Sequence, residues 1–309
     1  MPKKPTKNTK GAINTKPSPK KAAPKKTSVD LEVQEQKARH KELSEFQGSK
    51  ALIAVILVAI IAIGSLLMNL YNNRPIDLSS KKVLFVMTSH SDIKSDNPRE
   101  TTGYWLSEAS EAYEAFRNAG YEPVYVSPKG GLPPIDVKSL DFITYPNKKF
   151  LRNENDKLVA TFKPEDIDYA KYRAIYFVGG HGAMFDLPNN EALQEITAKI
   201  YDNGGVVAAV CHGVAGIVNV ELKNGKKLVY AKEVTGFTNA EEEKTGLKEV
   251  IPFMLQNELE AQGVIFRAGK DFQENVIVSG NLITGQNPQS THKVVQKVID
   301  ILETQNYNK

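Results

Sequence analysis

Hydrophobic and polar positions follow three different regimes along the chain. From Ala51 to Leu70, twenty residues pass without a charge. A run of about 20 such residues is what a helix needs to cross the hydrocarbon layer of a membrane, so 51–70 is predicted as a single transmembrane helix. A cleaved signal peptide fits less well, because the run is long for such a segment and no small-x-small site follows. Ahead of it, residues 1–29 are Lys, Pro, Thr, Ser and Ala with almost no large apolar side chain, a composition that cannot offset the entropy of folding. They are predicted as a disordered basic tail, with a charged, helix-prone juxtamembrane segment over 30–50. Tyr71 sits at the membrane exit, and 71–81 reads as a polar linker.

From Lys82 onward the period changes. Short apolar runs at 83–87, 123–126, 174–178 and 206–210 have the pattern of strands buried on both faces. Between them, Trp105, Ala109, Ala112 and Phe116, then Leu193, Ile196 and Ile200, recur at helical spacing, as do Val295, Val298 and Leu302 near the end. A helix is expected over about 249–262 and a strand at 264–266. Asn224-Gly225 and Gly280-Asn281 carry hairpin signals. Residues 127–163 look irregular and too long for a connection, so they are expected to pass over the site. The alternation predicts one α/β domain over 82–309: a largely parallel, flavodoxin-like sheet with helices on both faces. Such sheets bind ligands beyond the C-terminal strand ends. Two turns lie there, Gly179-Gly180-His181-Gly182 and Cys211-His212-Gly213.

Charge refines this division. Residues 1–50 hold 13 Lys/Arg against 5 Asp/Glu, which leaves 27 against 31 for the rest. The basic character belongs to the tail, where it suits an anionic lipid surface; nothing in the domain points to nucleic acid. The positive flank places the N-terminus in the cytoplasm and the domain outside, in a single-pass arrangement at the cell membrane.

Cys211 is the one cysteine in the chain, so no intramolecular disulfide forms. A buried structural cysteine is the plain alternative. Against it, Cys211 stands where an apolar strand runs straight into a small-residue helix, the layout of a nucleophile elbow. A helix N-terminus, the neighbouring His212 and flanking glycines are what a reactive thiolate needs. Gly180 and Gly213 leave bare backbone near the sulfur, and the Gly180 amide could join that of His212 as an oxyanion donor. His181 reads as a pocket wall, His90 as a further residue near a strand end, and His292 as an exposed first-turn residue. Five scattered histidines and one cysteine lack metal-ligand spacing, so no metal is expected. Gly179–Gly182 lacks the Lys-Ser/Thr of a phosphate loop.

Val-Cys-His-Gly after Gly-Gly-Val-Val-Ala-Ala, Gly-Gly-His-Gly after a strand, Thr235-Gly236-Phe237-Thr238 and Leu282-Ile283-Thr284-Gly285-Gln286-Asn287-Pro288 occur in one order. In these motifs the chain resembles the PfpI-type superfamily of class I glutamine amidotransferase-like proteins, in its glyoxalase III / heat-shock chaperone branch, over about 82–302. The resemblance implies a cofactor-free enzyme acting on a small carbonyl substrate, methylglyoxal or a related 2-oxoaldehyde, and leaves a homodimer open. It implies Cys211 as nucleophile, His212 as neighbouring base, Glu108 as a carboxylic acid contacting the sulfur, and a third triad member within Glu241-Glu242-Glu243, with Glu242 the expected match. By itself, Glu108 would read as a solvated first-turn glutamate. Val214 stands where members of the branch often have Pro. Peptide or amide hydrolysis by the same thiol, and a chaperone-like domain without turnover, are the alternative functions.

Overall fold

The structure, a computed structural model, describes residues 28–93 and 101–307. Most of the predicted basic tail, up to residue 27, and residues 94–100 of the loop after the first strand lie outside the described residues. The described residues divide into two compact units, with the boundary between Tyr71 and Asn72.

In the first unit one helix, α1, runs unbroken over Ser28–Asn72, with no boundary where the juxtamembrane and transmembrane segments were expected to meet. At 1.5 Å per residue it is about 68 Å long. Its apolar residues from Leu52 to Leu70 are exposed on every side. Among the described residues it is the one helix long and apolar enough to cross a membrane.

The second unit begins earlier than predicted. Residues 72–81 are seated on the domain and are not a free linker. The Tyr169 hydroxyl donates to the carbonyls of Asn72 and Arg74, Arg74 pairs with Asp168, and Ile76 is buried. Then follow β1 (Lys82–Val86), α2 (Leu106–Asn118), β2 (Glu122–Val126), α3 (Tyr145–Leu158), β3 (Ala174–Phe177), α4 (Ala183–Asp186), α5 (Glu191–Asp202) and β4 (Val206–Val210). The remainder is β5 (Glu233–Val234), α6 (Asn239–Thr245), α7 (Leu255–Ala261), β6 (Ile265–Phe266), β7 (Val276–Ser279), β8 (Leu282–Gly285) and α8 (Thr291–Tyr307). The main sheet has the order β2-β1-β3-β4-β8-β7, parallel except for the β7–β8 hairpin. The β1-to-β2 and β3-to-β4 crossovers step in opposite directions. Right-handed connections therefore put α2 and α5 on opposite faces, and α8 packs beside α2. β5 and β6 form a separate parallel pair.

Three local expectations shift. The stretch 127–163, expected to be irregular, contains α3. Thr144 and Asn147 form its capping box, with Pro146 in the first turn. The helix expected from residue 249 starts only at Leu255, because Pro252 removes a backbone donor from the interior of that run. Asn224-Gly225 makes its turn, with Gly225 at φ +75°, but the flanks form an isolated Glu221–Lys227 bridge and not a hairpin of strands.

The core is the fully buried centre of the sheet. β1, β3 and β4 contribute Val83 to Val86, Ala174 to Phe177 and Val206 to Val210, none more than 1% exposed. β3 and β4 end side by side, and the turn after β4 crosses tightly over the end of β3. A Cβ on Gly213 would stand 2.5 Å from the Phe177 carbonyl oxygen. Gly213→Ala is therefore expected to cost about 1–3 kcal/mol, the usual penalty of overpacking, read as a lower midpoint of urea unfolding.

Candidate active site

β4 delivers Cys211 to the C-terminal edge of the sheet in a strained conformation. Its φ is +57°, in the left-handed region, which costs a residue with a Cβ about 1–2 kcal/mol. The chain continues as a 3₁₀ helix, Cys211–Ile217, where an α-helix was expected. The backbone N–H of His212 points at the sulfur.

His212 lies beside the thiol, with Nδ1 3.4 Å from Sγ. Its Nε2 is 2.7 Å from Glu242 Oε2, and His181 Nε2 is 2.9 Å from Glu242 Oε1. The Thr245 hydroxyl donates to Oε1 as well, at 2.8 Å. Burial works against a charge on Glu242, but the hydrogen bonds from His181 and His212 outweigh it and hold the carboxyl well below the usual range. A carboxylate only accepts, so both Nε2 atoms carry hydrogen. Whenever the His212 ring holds a single proton, its bare Nδ1 faces the sulfur. His181 is pushed down by burial and then by the neighbouring His212, whose ring centre is 4.0 Å away.

The three consecutive glutamates separate cleanly. Glu242 takes the imidazoles. Glu241 is buried, closes a capping box with Thr238, and accepts from the Phe272 N–H and Asn287 Nδ2. Glu243 is exposed and pairs with Lys248.

Glu108, in the first turn of α2, is wholly buried rather than solvated. Its Oε2 accepts the Gly179 N–H at 2.6 Å, its Oε1 is buried without a hydrogen-bond partner, and the carboxyl group lies near enough to the Cys211 side chain for each to shift the other's proton affinity. Burial pushes it up to about 8, against the pull of the Gly179 N–H and of the neighbouring thiol. Cys211 departs from expectation. The surroundings of the thiol in the sequence suit a reactive thiolate, yet burial, and then the Glu108 charge, push its pKa well above the ordinary range. With Glu108 protonated the repulsive part disappears, and the carboxyl O–H can donate to sulfur. The resting pair is thus a neutral acid beside a thiol, ionised by Nδ1 of His212 as it reacts.

Cys211 and His212 open into a cavity of about 760 Å³ whose walls include Trp105, Gly180, His181, Phe237, Leu247 and Phe272; Glu108 and Glu242 stand behind them, outside its lining. Gly180 has φ +103°, and a Cβ there would run into the Gly103 carbonyl, so glycine alone fits this wall.

Residues 101–301 match the DJ-1/PfpI family. The chain belongs to that family. Among curated relatives of this DJ-1/PfpI chain, the glutathione-independent glyoxalase HSP31 of Saccharomyces cerevisiae is 33% identical over 241 residues, covering 73% of this chain and all of the relative. Glyoxalase 3 of Candida albicans is 32% identical, covering 72% and 98%. The crystal structure of glyoxalase III from Candida albicans superimposes with a TM-score of 0.67 at 31% identity, covering 71% and 96%. The Rapid Encystment Protein 24 KDa of Francisella tularensis gives 0.68 at 37%, covering 72% and 98%.

Within the DJ-1/PfpI domain the structure brings together Cys211, His212, Glu108, Glu242, Gly180 and His181. Gly213 does not join them: it is buried under the Phe177 carbonyl and is not part of the cavity wall, so its place is one of packing. His90 stacks on Phe185 outside the cavity, and His292 is exposed in the first turn of α8. No metal site was expected, yet His181, His212 and Glu242 place their ligand atoms within 4.8 Å of one another, which makes them the one such group among the described residues. Both imidazole Nε2 atoms there are engaged with Glu242, so a metal ion would have to displace those hydrogen bonds. Sequence reasoning missed Phe272, Trp105, Lys138 and Ser139 in the wall. A strained φ of +55° at Phe272 leaves no signal in a single sequence.

Proposed function

We propose that this DJ-1/PfpI domain is a glutathione-independent glyoxalase of the glyoxalase III type, converting methylglyoxal or a related 2-oxoaldehyde and water to a 2-hydroxy acid. The observation that carries this reading is the sulfur held between two proton carriers, the Glu108 carboxyl group and the bare Nδ1 of His212, at the floor of a cavity. The named activity of the relatives agrees with it.

The steps balance within substrate and site. The Cys211 sulfur bonds to the aldehyde carbon C1, its proton leaves through His212, and Glu108 protonates the aldehyde oxygen, giving a hemithioacetal. A base of the site then removes the hydrogen on C1. The electron pair it leaves reduces C2 by way of an enediol, and a proton returns to C2. C1 is now a thioester, oxidised at the expense of C2, and water cleaves it to release lactate and the thiol. No external oxidant or reductant is consumed. A partner thiol such as glutathione is not needed, because Cys211 fills that role. Full-length protein incubated with methylglyoxal and no added thiol is expected to produce lactate; absence of lactate overturns the reading.

We also propose that residues 51–70 anchor the chain in a membrane with the domain on the outer side, supported by the uncharged, exposed run in α1 and the basic stretch ahead of it. The protein is expected to resist carbonate extraction and dissolve in detergent, and protease added to intact cells is expected to reach the domain. Full protection of the domain reverses the assigned orientation.

A further inference from the structure

The cavity is far larger than the reaction just described requires. Methylglyoxal is a three-carbon aldehyde, whereas cavities of roughly 300–1,000 Å³ enclose drug-sized molecules, and this one measures about 760 Å³. One part of its wall is aromatic. The His212 ring, beside the sulfur, packs on Phe237 at 4.3 Å between centres, and Phe237 meets Phe272 edge-on at 6.2 Å. These rings form a continuous aromatic path from the reacting atom to the surface, with Leu247 also in the wall. Phe237 is buried, but Phe272 is 41% exposed.

Phe272 is held there against its own backbone preference. A bulky residue at φ +55° is an outlier. What holds it is the buried Glu241, whose Oε1 accepts the Phe272 N–H at 2.8 Å and is itself fixed by Asn287 Nδ2 at 2.8 Å. The polar part of the wall shows no preference for charge: one cation, Lys138, is matched by one carboxyl group, Glu111.

We infer that Phe237, Phe272 and Leu247 form a subsite for the group R in a 2-oxoaldehyde R–CO–CHO, and that the site selects an uncharged aromatic or extended apolar R over methyl. This rests on the glyoxalase reading and specifies its substrate class. With C1 bonded to sulfur, R leaves from C2 along the ring path that starts at His212. Aromatic contacts with R strengthen binding of substrate and transition state alike, so the gain appears mainly in KM.

The test compares phenylglyoxal with methylglyoxal on the full chain in detergent, for the wild type, Phe272→Gly and Phe272→Leu. Glycine removes the ring and suits the positive φ, so this variant is expected to fold; leucine keeps an apolar side chain. The phenylglyoxal-to-methylglyoxal ratio of kcat/KM is expected to fall about tenfold in Phe272→Gly, the size of one lost aromatic contact, and less in Phe272→Leu. Because each variant is compared with itself, the differing reactivity of the two aldehydes cancels. Mandelate, the product from phenylglyoxal, is expected to inhibit the wild type competitively at lower concentration than lactate. Methylglyoxal turnover with an unchanged ratio in both variants overturns the subsite and leaves the glyoxalase reading standing. No turnover of either aldehyde overturns both.

Discussion

Cys211→Ala is expected to lower kcat/KM for lactate formation by on the order of 10⁴-fold or more, as loss of a nucleophile does in other covalent enzymes. Every step proposed after substrate binding passes through a bond between carbon and this sulfur. Without it, Glu108 and His212 have protons to move but no adduct to move them on. The alanine keeps the Cβ and the backbone at φ +57°, so the turn is preserved. Circular dichroism and a melting temperature within a few degrees of the wild type would confirm that only chemistry was lost. A variant that kept a tenth of the activity would rule out the covalent route. Cys211→Ser is expected to be nearly as inactive, because a buried hydroxyl is harder still to ionise than a buried thiol.

Glu108→Gln separates activity from stability and moves them in opposite directions. The rate is expected to fall about 10²- to 10⁴-fold, the range for a lost general acid, since an amide cannot return a proton to the aldehyde oxygen. Stability is expected to rise, by an amount that depends on pH. The folded protein holds the Glu108 proton up to about pH 8, while the unfolded chain releases it near 4.5. Between those values the unfolded state binds fewer protons, so raising the pH destabilises the wild type, by up to about 1.4 kcal/mol per unit. Below 4.5 this loss is absent, and above 8 it stops growing. Glutamine does not titrate, so the gap in urea midpoint between variant and wild type should be small at pH 4.5 and widen towards pH 8. A constant gap would show that Glu108 is ionised in the fold at neutral pH. Wild-type activity should also decline above about pH 8, as the carboxyl next to the sulfur loses its proton.

The sheet was legible because its strands are apolar on both faces and bounded by glycine, and the elbow because a thiol and an imidazole break such a run abruptly. Glu108 was legible only through resemblance: one glutamate in a helix carries no mark of burial, and it is buried because α2 turns that face towards Gly179. Glu242 could not be told from its neighbours by type. The fold distinguishes them by giving Glu241 to a helix cap and Glu243 to solvent. The helix α3 was missed since few apolar side chains, chiefly Phe150 and Leu158, hold it down. The acidity of Cys211 was misjudged for a related reason. Adjacent groups suggested a stabilised anion, whereas the desolvation that opposes one appears only when the whole chain closes around it.

Glu242 sits between two imidazoles, and this sets how many protons the cluster can store. One negative group can balance one imidazolium; a second positive ring, 4.0 Å from the first and buried, would have only Asp136, which makes no hydrogen bond to either ring, to answer it. Within the trio itself, the one carboxylate matches the charge of a single extra proton. Isomerising an oxoaldehyde needs that much and no more: one hydrogen lifted from a carbon, kept briefly, and set down on its neighbour.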